Sequence, residues 1–281
     1  MAKKVISMIV TKIQQAKYFS ISLDSIPDIS RVDQLSFIVR YVSKEECPIE
    51  RFIRFILNCS HKAKDMATIV LQTLKNYDLD IANCREQSYD NASNMSGAYS
   101  GLQARIKEVN SLAIFIPCSA HSLNLVGSCA AESCEAAISF FKVCEGEFNL
   151  KDFYPGDLDE NIKNECFHLQ AHLLSTEATK EKIMSSLELY KFILENGFID
   201  IYPNIGISLR MLLSTPVSKC SAERSFSALK RIKKYLRLNT EKKRLTSLAV
   251  LYIESEVMQA VDYSEAIRSF AEQKARCVKI C

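Results

Sequence analysis

The chain has 281 residues, with 36 Lys and Arg, 33 Asp and Glu, and a formal net charge of +3. This length suits one large domain or two ordinary ones, and so small a net charge does not by itself indicate a nucleic-acid partner. Eleven cysteines without a C-x-x-C pair favour reduced thiols in the cytosol or nucleus, and the lack of any apolar stretch of about 18 residues predicts no membrane span.

The first predicted elements are one helix and three strands. An amphipathic helix is predicted over 3–16, where apolar residues recur on one side and lysines stand opposite. Alternation of apolar residues with serines predicts a half-buried strand over 18–26. Two further strands are predicted over 34–42 and 49–57, and the short connections favour an antiparallel meander.

Helices and strands then alternate along the chain. A helix over 64–79 precedes a strand over 81–87, a helix over 101–109 precedes a strand over 113–117, and a last helix continues to Phe141. This order of elements is that of an RNase H-like domain. We therefore predict an α/β fold: an RNase H-like mixed sheet of three antiparallel plus two parallel strands, with flanking helices and a helical C-terminal part.

Two aspartates stand where this fold places strand ends side by side. Asp24 lies at the end of the first strand, and Asp90 follows the fourth. Paired carboxylates suit Mg²⁺, which takes oxygen ligands and keeps positions for water and phosphate. Two such ions stabilise the attacking and leaving oxygens of phosphodiester chemistry. Each aspartate alone also suits a simpler role, as a turn cap for Asp24 and an Asx-turn residue for Asp90.

The segment 142–206 carries weaker signals. Helical spacing predicts helices over 161–174 and 179–192. His168 and His172 share one face of the first of these, which suits either a metal pair or ordinary surface or core histidines.

The most basic stretch of the chain follows Pro216. Small polar residues lead into an amphipathic helix that has Glu223 at its start. Its cations suit phosphate contacts, or a solvated face whose aliphatic stems cover apolar surface; they are Lys230, Arg231, Lys233, Lys234 and Arg237. The next helix, over 245–253, is strongly apolar and is expected to pack on its own sheet or on a second copy.

Three stretches of this sequence resemble hAT-superfamily transposases of the zinc-finger MYM-type-like group. They are Cys84-Arg-Glu-Gln-Ser-Tyr-Asp-Asn-Ala-Ser-Asn-Met-Ser-Gly, Pro117-Cys-Ser-Ala-His-Ser-Leu-Asn-Leu-Val, and Ser214-Thr-Pro-Val-Ser-Lys-Cys-Ser-Ala-Glu-Arg-Ser-Phe-Ser-Ala-Leu-Lys-Arg-Ile-Lys. On this resemblance, residues 1–141 are the first part of an RNase H-like transposase core. Residues 142–206 are a shortened helical and acidic connector in place of the family insertion. Residues 207–281 are a dimerisation region that completes the core.

The resemblance also implies functional residues. Asp24, Asp90 and Glu223 correspond to a three-carboxylate site that binds Mg²⁺ or Mn²⁺ if the protein is active. His121, in the family's Cys-x-x-His motif, contacts DNA or forms a hydrogen bond at the edge of the site. The implied partner is a second copy or a related hAT-like protein, and the candidate dimerisation residues are Phe226, Leu229, Leu248, Leu251 and Tyr252.

Two departures from the family pattern decide the expected function. The chain has no Trp, although relatives carry a DNA-stacking Trp in the long insertion, and no Cys/His finger precedes Asp24. Base–aromatic stacking is worth about 1–3 kcal/mol per base. We therefore expect a catalytically inactive, dimerising, transposase-derived protein with non-specific DNA binding, located in the nucleus or alternatively the cytoplasm. The alternatives are an active metal-dependent transposase or nuclease, and a protein-interaction adaptor without DNA binding.

Overall fold

The computed structural model describes residues 1–27, 33–43, 47–57, 62–89, 92–117, 151, 154–175, 184–216, 220–236 and 242–274. Three candidate site residues, Asp90, His121 and Arg237, lie outside these ranges, as does the helix predicted to end at Phe141. For Glu223 and Lys234 the backbone is described and the side chain is not.

The chain begins with helix α1, Ala2–Ala16, close to the predicted bounds. Val5, Ile9 and Ile13 recur at every fourth position and are fully buried, because such side chains share one face of a helix. Lys17 has a φ of 66° and ends the helix, so that the chain turns directly into the first strand.

The sheet has five strands in the order β3-β2-β1-β4-β5. The strands are β1 Phe19–Pro27, β2 Asp33–Val42, β3 Pro48–Leu57, β4 Cys84–Ser88 and β5 Ile114–Phe115. β2 pairs antiparallel with both β1 and β3, whereas β4 pairs parallel with both β1 and β5. The predicted α/β fold with a mixed sheet of three antiparallel and two parallel strands is confirmed.

The helices predicted between β3 and β5 are present, together with a short helix at 93–96 that was not predicted. They include α2 Ala63–Asn76, α3 Ser93–Ser96 and α4 Leu102–Val109. The strand predicted over 81–87 begins only at Cys84, because Ile81–Asn83 form a 3₁₀ turn. Asp80 Oδ1 accepts a hydrogen bond from Ala82 N at 2.9 Å and stabilises this turn. A side chain that binds the nearby backbone in this way competes with strand formation, and the apolar pattern does not show it.

A helical layer with its own apolar core follows, here called the α5–α7 layer. Its elements are α5 Ile162–Ser175, α6 Ser186–Glu195, a 3₁₀ turn Phe198–Asp200 and α7 Pro203–Ser214. Ser185 and Glu188 form a capping box at the start of α6. Tyr18, which precedes β1, and Val42, the last residue of β2, are part of the same core as Leu169. The segment predicted as a connector is thus largely a packed layer.

The last helices return to the main core. They are α8 Cys220–Leu236, α9 Lys242–Ile253, α10 Ser255–Gln259 and α11 Ser264–Lys274. Ala222 and Phe226 of α8, with Leu245 and Ala249 of α9, are buried together with residues of the sheet. The C-terminal helices therefore complete the core that α1 and the strands begin. Among the described residues, no helix has the length and apolar character needed to cross a membrane.

Candidate functional site

A row of polar side chains lies on one face of β1. Ser20, Ser22 and Asp24 alternate with apolar residues, so the three point to the same face of the sheet. All three are buried, and Asp24 is only 6% exposed. Asp24 Oδ1 accepts a hydrogen bond from Ser25 N at 3.1 Å. A carboxylate this buried needs polar or cationic neighbours, because it has lost most of its contact with water. The elements packed on this face of the sheet determine which neighbours it has.

Helix α8 begins beside Asp24. Asp24 is the register partner of Ser36 on β2, so the two side chains share a face of the sheet. Ser36 Oγ and Ser225 Oγ are 2.8 Å apart, and Ser225 follows Glu223 by two residues on α8. The structure thus brings the first turn of α8, where Glu223 lies, to the face of β1 that carries Asp24.

The strand that precedes Asp90 is placed next to β1. Ser22 on β1 is opposite Ser88 on β4, and the two strands are parallel. Asp24 and Asp90 each follow this pair by two residues in the sequence. Asp90 itself is outside the described residues, so its convergence with Asp24 stays a prediction, whereas the pairing of the two strands that lead to them is observed.

The donor chemistry of this face fits a hydrated divalent cation. Carboxylate oxygens are the ligands that Mg²⁺ and Mn²⁺ prefer in proteins. In the described part of the chain, Ser22 Oγ and Ser88 Oγ are buried without a hydrogen-bond partner. Both residues lie on the face of the sheet that carries Asp24. Buried hydroxyls of this kind suit bound water. No group of three metal-binding side chains occurs among the described residues, which include only one of the three predicted carboxylate side chains.

Glu86 is a further carboxyl group on the face of the sheet that carries Asp24, and sequence reasoning missed it. It lies on β4 opposite Ser20 and is buried. Burial raises the pKa of Glu86 to about 8, so the carboxyl group is mostly neutral at pH 7. Ser214 Oγ lies 3.2 Å from Glu86 Oε2, and the side chain of Thr215 also forms a hydrogen bond with this group. The available signal was the period-two spacing of Glu86, Ser88 and Asp90, which places Glu86 on the sheet face expected for Asp90.

The C-terminal end of α7 lies against the same face. Ser20 Oγ donates a hydrogen bond to Ser214 O at 2.5 Å, and Arg40 Nε donates to Leu213 O at 3.2 Å. The last carbonyls of a helix have no donor within the helix. Side chains of β1 and β2 therefore cap α7, just before the chain turns towards α8.

Two family models match this chain. Residues 1–101 match the ZMYM1/FAM200 RNase-like domain, and residues 169–257 match the hAT family C-terminal dimerisation region. The first match covers β1 to β4, and the second covers α8 with Glu223. The chain is a hAT-derived, transposase-like protein. The second match begins at residue 169, inside the segment that the sequence assigned to a connector, so most of the α5–α7 layer of this hAT-derived protein lies within the matched region.

Three of the six predicted DNA-binding side chains are described. Lys230 and Arg231 are exposed on α8, and Lys233 is partly buried. Arg231 Nη1 donates a hydrogen bond to the Tyr252 hydroxyl group on α9 at 3.0 Å. The exposed face of α8 in the hAT-derived protein therefore combines cations with one aromatic ring, and a role in DNA binding stays a prediction.

The five predicted dimerisation residues fall into two groups. Phe226 and Leu229 are buried in the core of their own chain, where the Phe226 ring stacks on a β3 ring with centroids 5.7 Å apart. Leu248 and Leu251 are partly buried on α9, and Tyr252 is 47% exposed. Of these three, Tyr252 is the most open to contact with a partner, because Leu248 and Leu251 pack against the core of their own chain. An apolar stripe predicts that a helix is covered, but not by which chain.

The histidine pair on α5 has aromatic neighbours. His168 Nδ1 and Tyr202 OH are 2.8 Å apart, and the His172 ring meets the edge of Phe198 at 5.3 Å between centroids. These contacts connect α5 to the turn before α7. They support the ordinary structural role that the sequence left open beside the metal pair.

Proposed function

We propose that this hAT-derived protein acts by self-association and does not carry out transposition. The observation that carries the proposal is that the matched dimerisation region is only partly used in the core of its own chain. Phe226 of α8 and Ala249 of α9 are buried in the RNase-like core, whereas Tyr252 of α9 is 47% exposed. A face that is not used in the core is available to a second copy. The absence of Trp from the sequence supports the loss of transposition, because the family's stacking residue is missing.

Measurement of the oligomeric state tests this function. Analytical ultracentrifugation of the full chain should show a dimer, and the substitution Tyr252→Glu should weaken association at least tenfold. The burial of an unpaired carboxylate in an interface is unfavourable. Tyr99→Glu is the matched control, since Tyr99 is 97% exposed in the RNase-like part. A monomer in the wild type, or equal association in both variants, would contradict the proposal.

Non-specific DNA binding is the accompanying proposal, supported by Lys230 and Arg231 on the exposed face of α8. Binding of this kind weakens steeply with salt, because phosphate contacts release counterions. Fluorescence anisotropy with a labelled duplex at 50 and 200 mM salt should therefore show a clear loss of affinity. No measurable binding at the lower salt concentration would favour the adaptor function without DNA. A nuclear location accords with DNA binding, and imaging of a fluorescent fusion distinguishes it from a cytoplasmic one.

A metal-dependent nuclease or strand transferase is the second candidate, favoured by the buried Asp24 beside the first turn of α8. Asp24, Asp90 and Glu223 would hold Mg²⁺ or Mn²⁺, which supplies stabilisation of the attacking and leaving oxygens in phosphodiester chemistry. The test is a nicking assay on supercoiled DNA with Mn²⁺, comparing the wild type with Asp90→Ala. Nicking that is lost in the variant would overturn the inactive proposal. Equal results in both proteins would remove this second candidate.

A further inference from the structure

A groove between α1 and β3 is a feature of the molecule that neither the self-association surface nor the carboxylate site uses. Four elements meet around it, namely α1, β3, α9 and the turn that follows α2. Its volume is about 710 Å³, within the range of roughly 300–1,000 Å³ that is typical of sites for small molecules. We call it the α1–β3 groove.

The inside of the groove is apolar. Ile6 and Val10 of α1 are four residues apart, so they share a face of the helix, and both are partly buried. Ile53 of β3 and Val250 of α9 also line the groove and are almost fully buried. An apolar ligand would cover the parts of Ile6 and Val10 that remain in contact with water, which is favourable.

Two cations line the same groove, and in the described part of the chain neither of them forms an ion pair. Arg54 of β3 is partly buried, and its guanidinium makes one weak hydrogen bond, from Nε to Phe55 O at 3.5 Å. Tyr77 lies close to it, but burial raises the pKa of the Tyr77 hydroxyl group, so this phenol is neutral and supplies no counter-charge. Lys3 of α1 is exposed. The groove therefore offers two positive charges to a ligand.

The nearest cation to each of these along its own element has a carboxylate partner. Arg51 of β3 pairs with Glu254 at 3.1 Å, and Lys4 of α1 forms an ion pair with Glu265. The cations that line the groove are thus the ones left unpaired. A partly buried guanidinium without a counterion is unfavourable, because it has lost part of its hydration. An anion bound in the groove would offset that cost.

The charges of the lining indicate a ligand with one negative charge. Among the described lining residues, Lys3 and Arg54 give two positive charges and Asp78 gives one negative charge, which leaves a net charge of +1. One carboxylate matches this charge, and its two oxygens suit the parallel N–H groups of a guanidinium. A phosphate monoester carries about −1.5 to −2 at pH 7 and exceeds it.

We propose that the α1–β3 groove is a binding site for a small amphiphilic monocarboxylate, such as a medium-chain fatty acid. The apolar chain of the ligand lies along Ile6 and Val10, and its carboxylate pairs with Arg54 and Lys3. The apolar contact contributes binding free energy in proportion to the area that it removes from water. The ion pair fixes the orientation of the ligand.

This site is separate from the surface proposed for self-association. Val250 lines the groove, whereas Tyr252, two residues further along α9, is rotated by about 200° around the helix. The two side chains therefore lie on opposite sides of α9. A ligand in the groove leaves Tyr252 uncovered, so failure of the binding site and failure of self-association are distinguishable.

Equilibrium dialysis of the full chain against decanoate tests the class of ligand. Decanoate should bind, and decyltrimethylammonium, which has the same chain length and the opposite charge, should bind at least tenfold more weakly. Decyl phosphate should bind no more tightly than decanoate. Lack of decanoate binding at about 1 mM, or equal affinity for the cationic analogue, overturns the proposal. Tighter binding of decyl phosphate overturns the assignment of a monocarboxylate.

Matched substitutions locate the site. Ser7 is exposed and lines the groove, so Ser7→Glu places a carboxylate beside the two cations and should weaken decanoate binding at least tenfold, as should Arg54→Gln. Lys12→Gln is the matched control, because it makes the same change in net charge at an exposed position of α1 outside the lining. Tyr252→Glu should also leave the affinity unchanged. Equal affinities in Ser7→Glu and Lys12→Gln place the ligand elsewhere and overturn the proposal.

Discussion

Asp157 connects the α5–α7 layer to the sheet through charge, and its removal gives a sharp test of that packing. The Arg85 guanidinium forms an ion pair with Asp157, and the two side chains are 3% and 7% exposed. Tyr18 OH donates a hydrogen bond to Asp157 Oδ1 at 2.7 Å, and Lys17 Nζ lies 3.3 Å from the same oxygen. A cation this buried depends on its partner, because its solvation by water has been lost.

The expected loss in the free energy of unfolding depends on the contacts that Arg85 keeps in the Asp157→Asn variant. This substitution keeps the size of the side chain and removes its charge. Breaking a buried pair by removing one partner costs about 3–5 kcal/mol. Arg85 keeps a hydrogen bond to Ala82 O at 2.6 Å and lies 4.8 Å from the centroid of the Tyr18 ring, so we expect the lower end, about 3 kcal/mol. For a chain of this size, that lowers Tm by about 6–9 °C.

Differential scanning calorimetry at pH 7 measures this change. The double variant Arg85→Met with Asp157→Asn should recover most of the loss, since neither charge is then left unpaired. Glu160→Gln is the control, because the Lys151–Glu160 pair is exposed and should not affect Tm. A fall of less than about 2 °C in Asp157→Asn would refute the reasoning.

The same pair predicts a dependence on acid pH. Burial alone would raise the pKa of Asp157, but the hydrogen bond from Tyr18 and the Arg85 guanidinium lower it below its ordinary value. A group with a lowered folded-state pKa stabilises the protein above its unfolded pKa of about 3.9 and loses that contribution as pH falls through the folded value. The difference in Tm between the wild type and Asp157→Asn should therefore be constant near pH 7 and shrink below about pH 4.

Three further predictions concern the site and the core. Because the folded-state pKa of Glu86 is raised, the wild type should lose stability relative to Glu86→Gln as pH rises from about 5 to 8, measured as ΔTm; a constant difference would count against a neutral acid. Phe226→Ala should cost about 3–5 kcal/mol in urea denaturation, whereas Tyr252→Ala should change stability by less than about 0.5 kcal/mol, and equal losses would contradict their assignment to core and surface. Mn²⁺ should raise the Tm of the wild type but not of Asp24→Asn, and a rise in both would place the ion elsewhere.

The strands of this hAT-derived protein could be predicted from the sequence, because the pattern of apolar and polar residues within each strand is a local signal. The alternation around Asp24 predicted β1 and its polar face, and the structure shows both. Asp24 was expected at the end of the strand, but β1 continues for three more residues, to Pro27. The parallel pairing of β1 with β4 also follows from the predicted order of elements. Such features depend on neighbours in sequence, which is why periodicity finds them.

The missed features depend on residues far apart in the chain. Glu86 and Ser214 are separated by 128 positions, and Arg85 and Asp157 by 72. No local pattern distinguishes a carboxyl group that will be buried beside a helix end from one on the surface. For the same reason, the sequence did not decide whether Phe226 packs within its own chain or against a partner. An apolar stripe on a helix fits either the chain's own sheet or a second chain.

The bond that Glu254 makes with β3 bears on how two copies can meet. β3 lies at one edge of the sheet, where unpaired amides invite another strand. Phe52 N on this edge donates to Glu254 Oε1 at 2.6 Å, and Arg51 pairs with the same carboxylate. With that amide occupied by a side chain, continuation of the sheet across a molecular boundary is blocked at its middle. Pairing of a second copy's strand along the middle of β3 is thus disfavoured, because an amide that such a strand would need already has a partner within the chain.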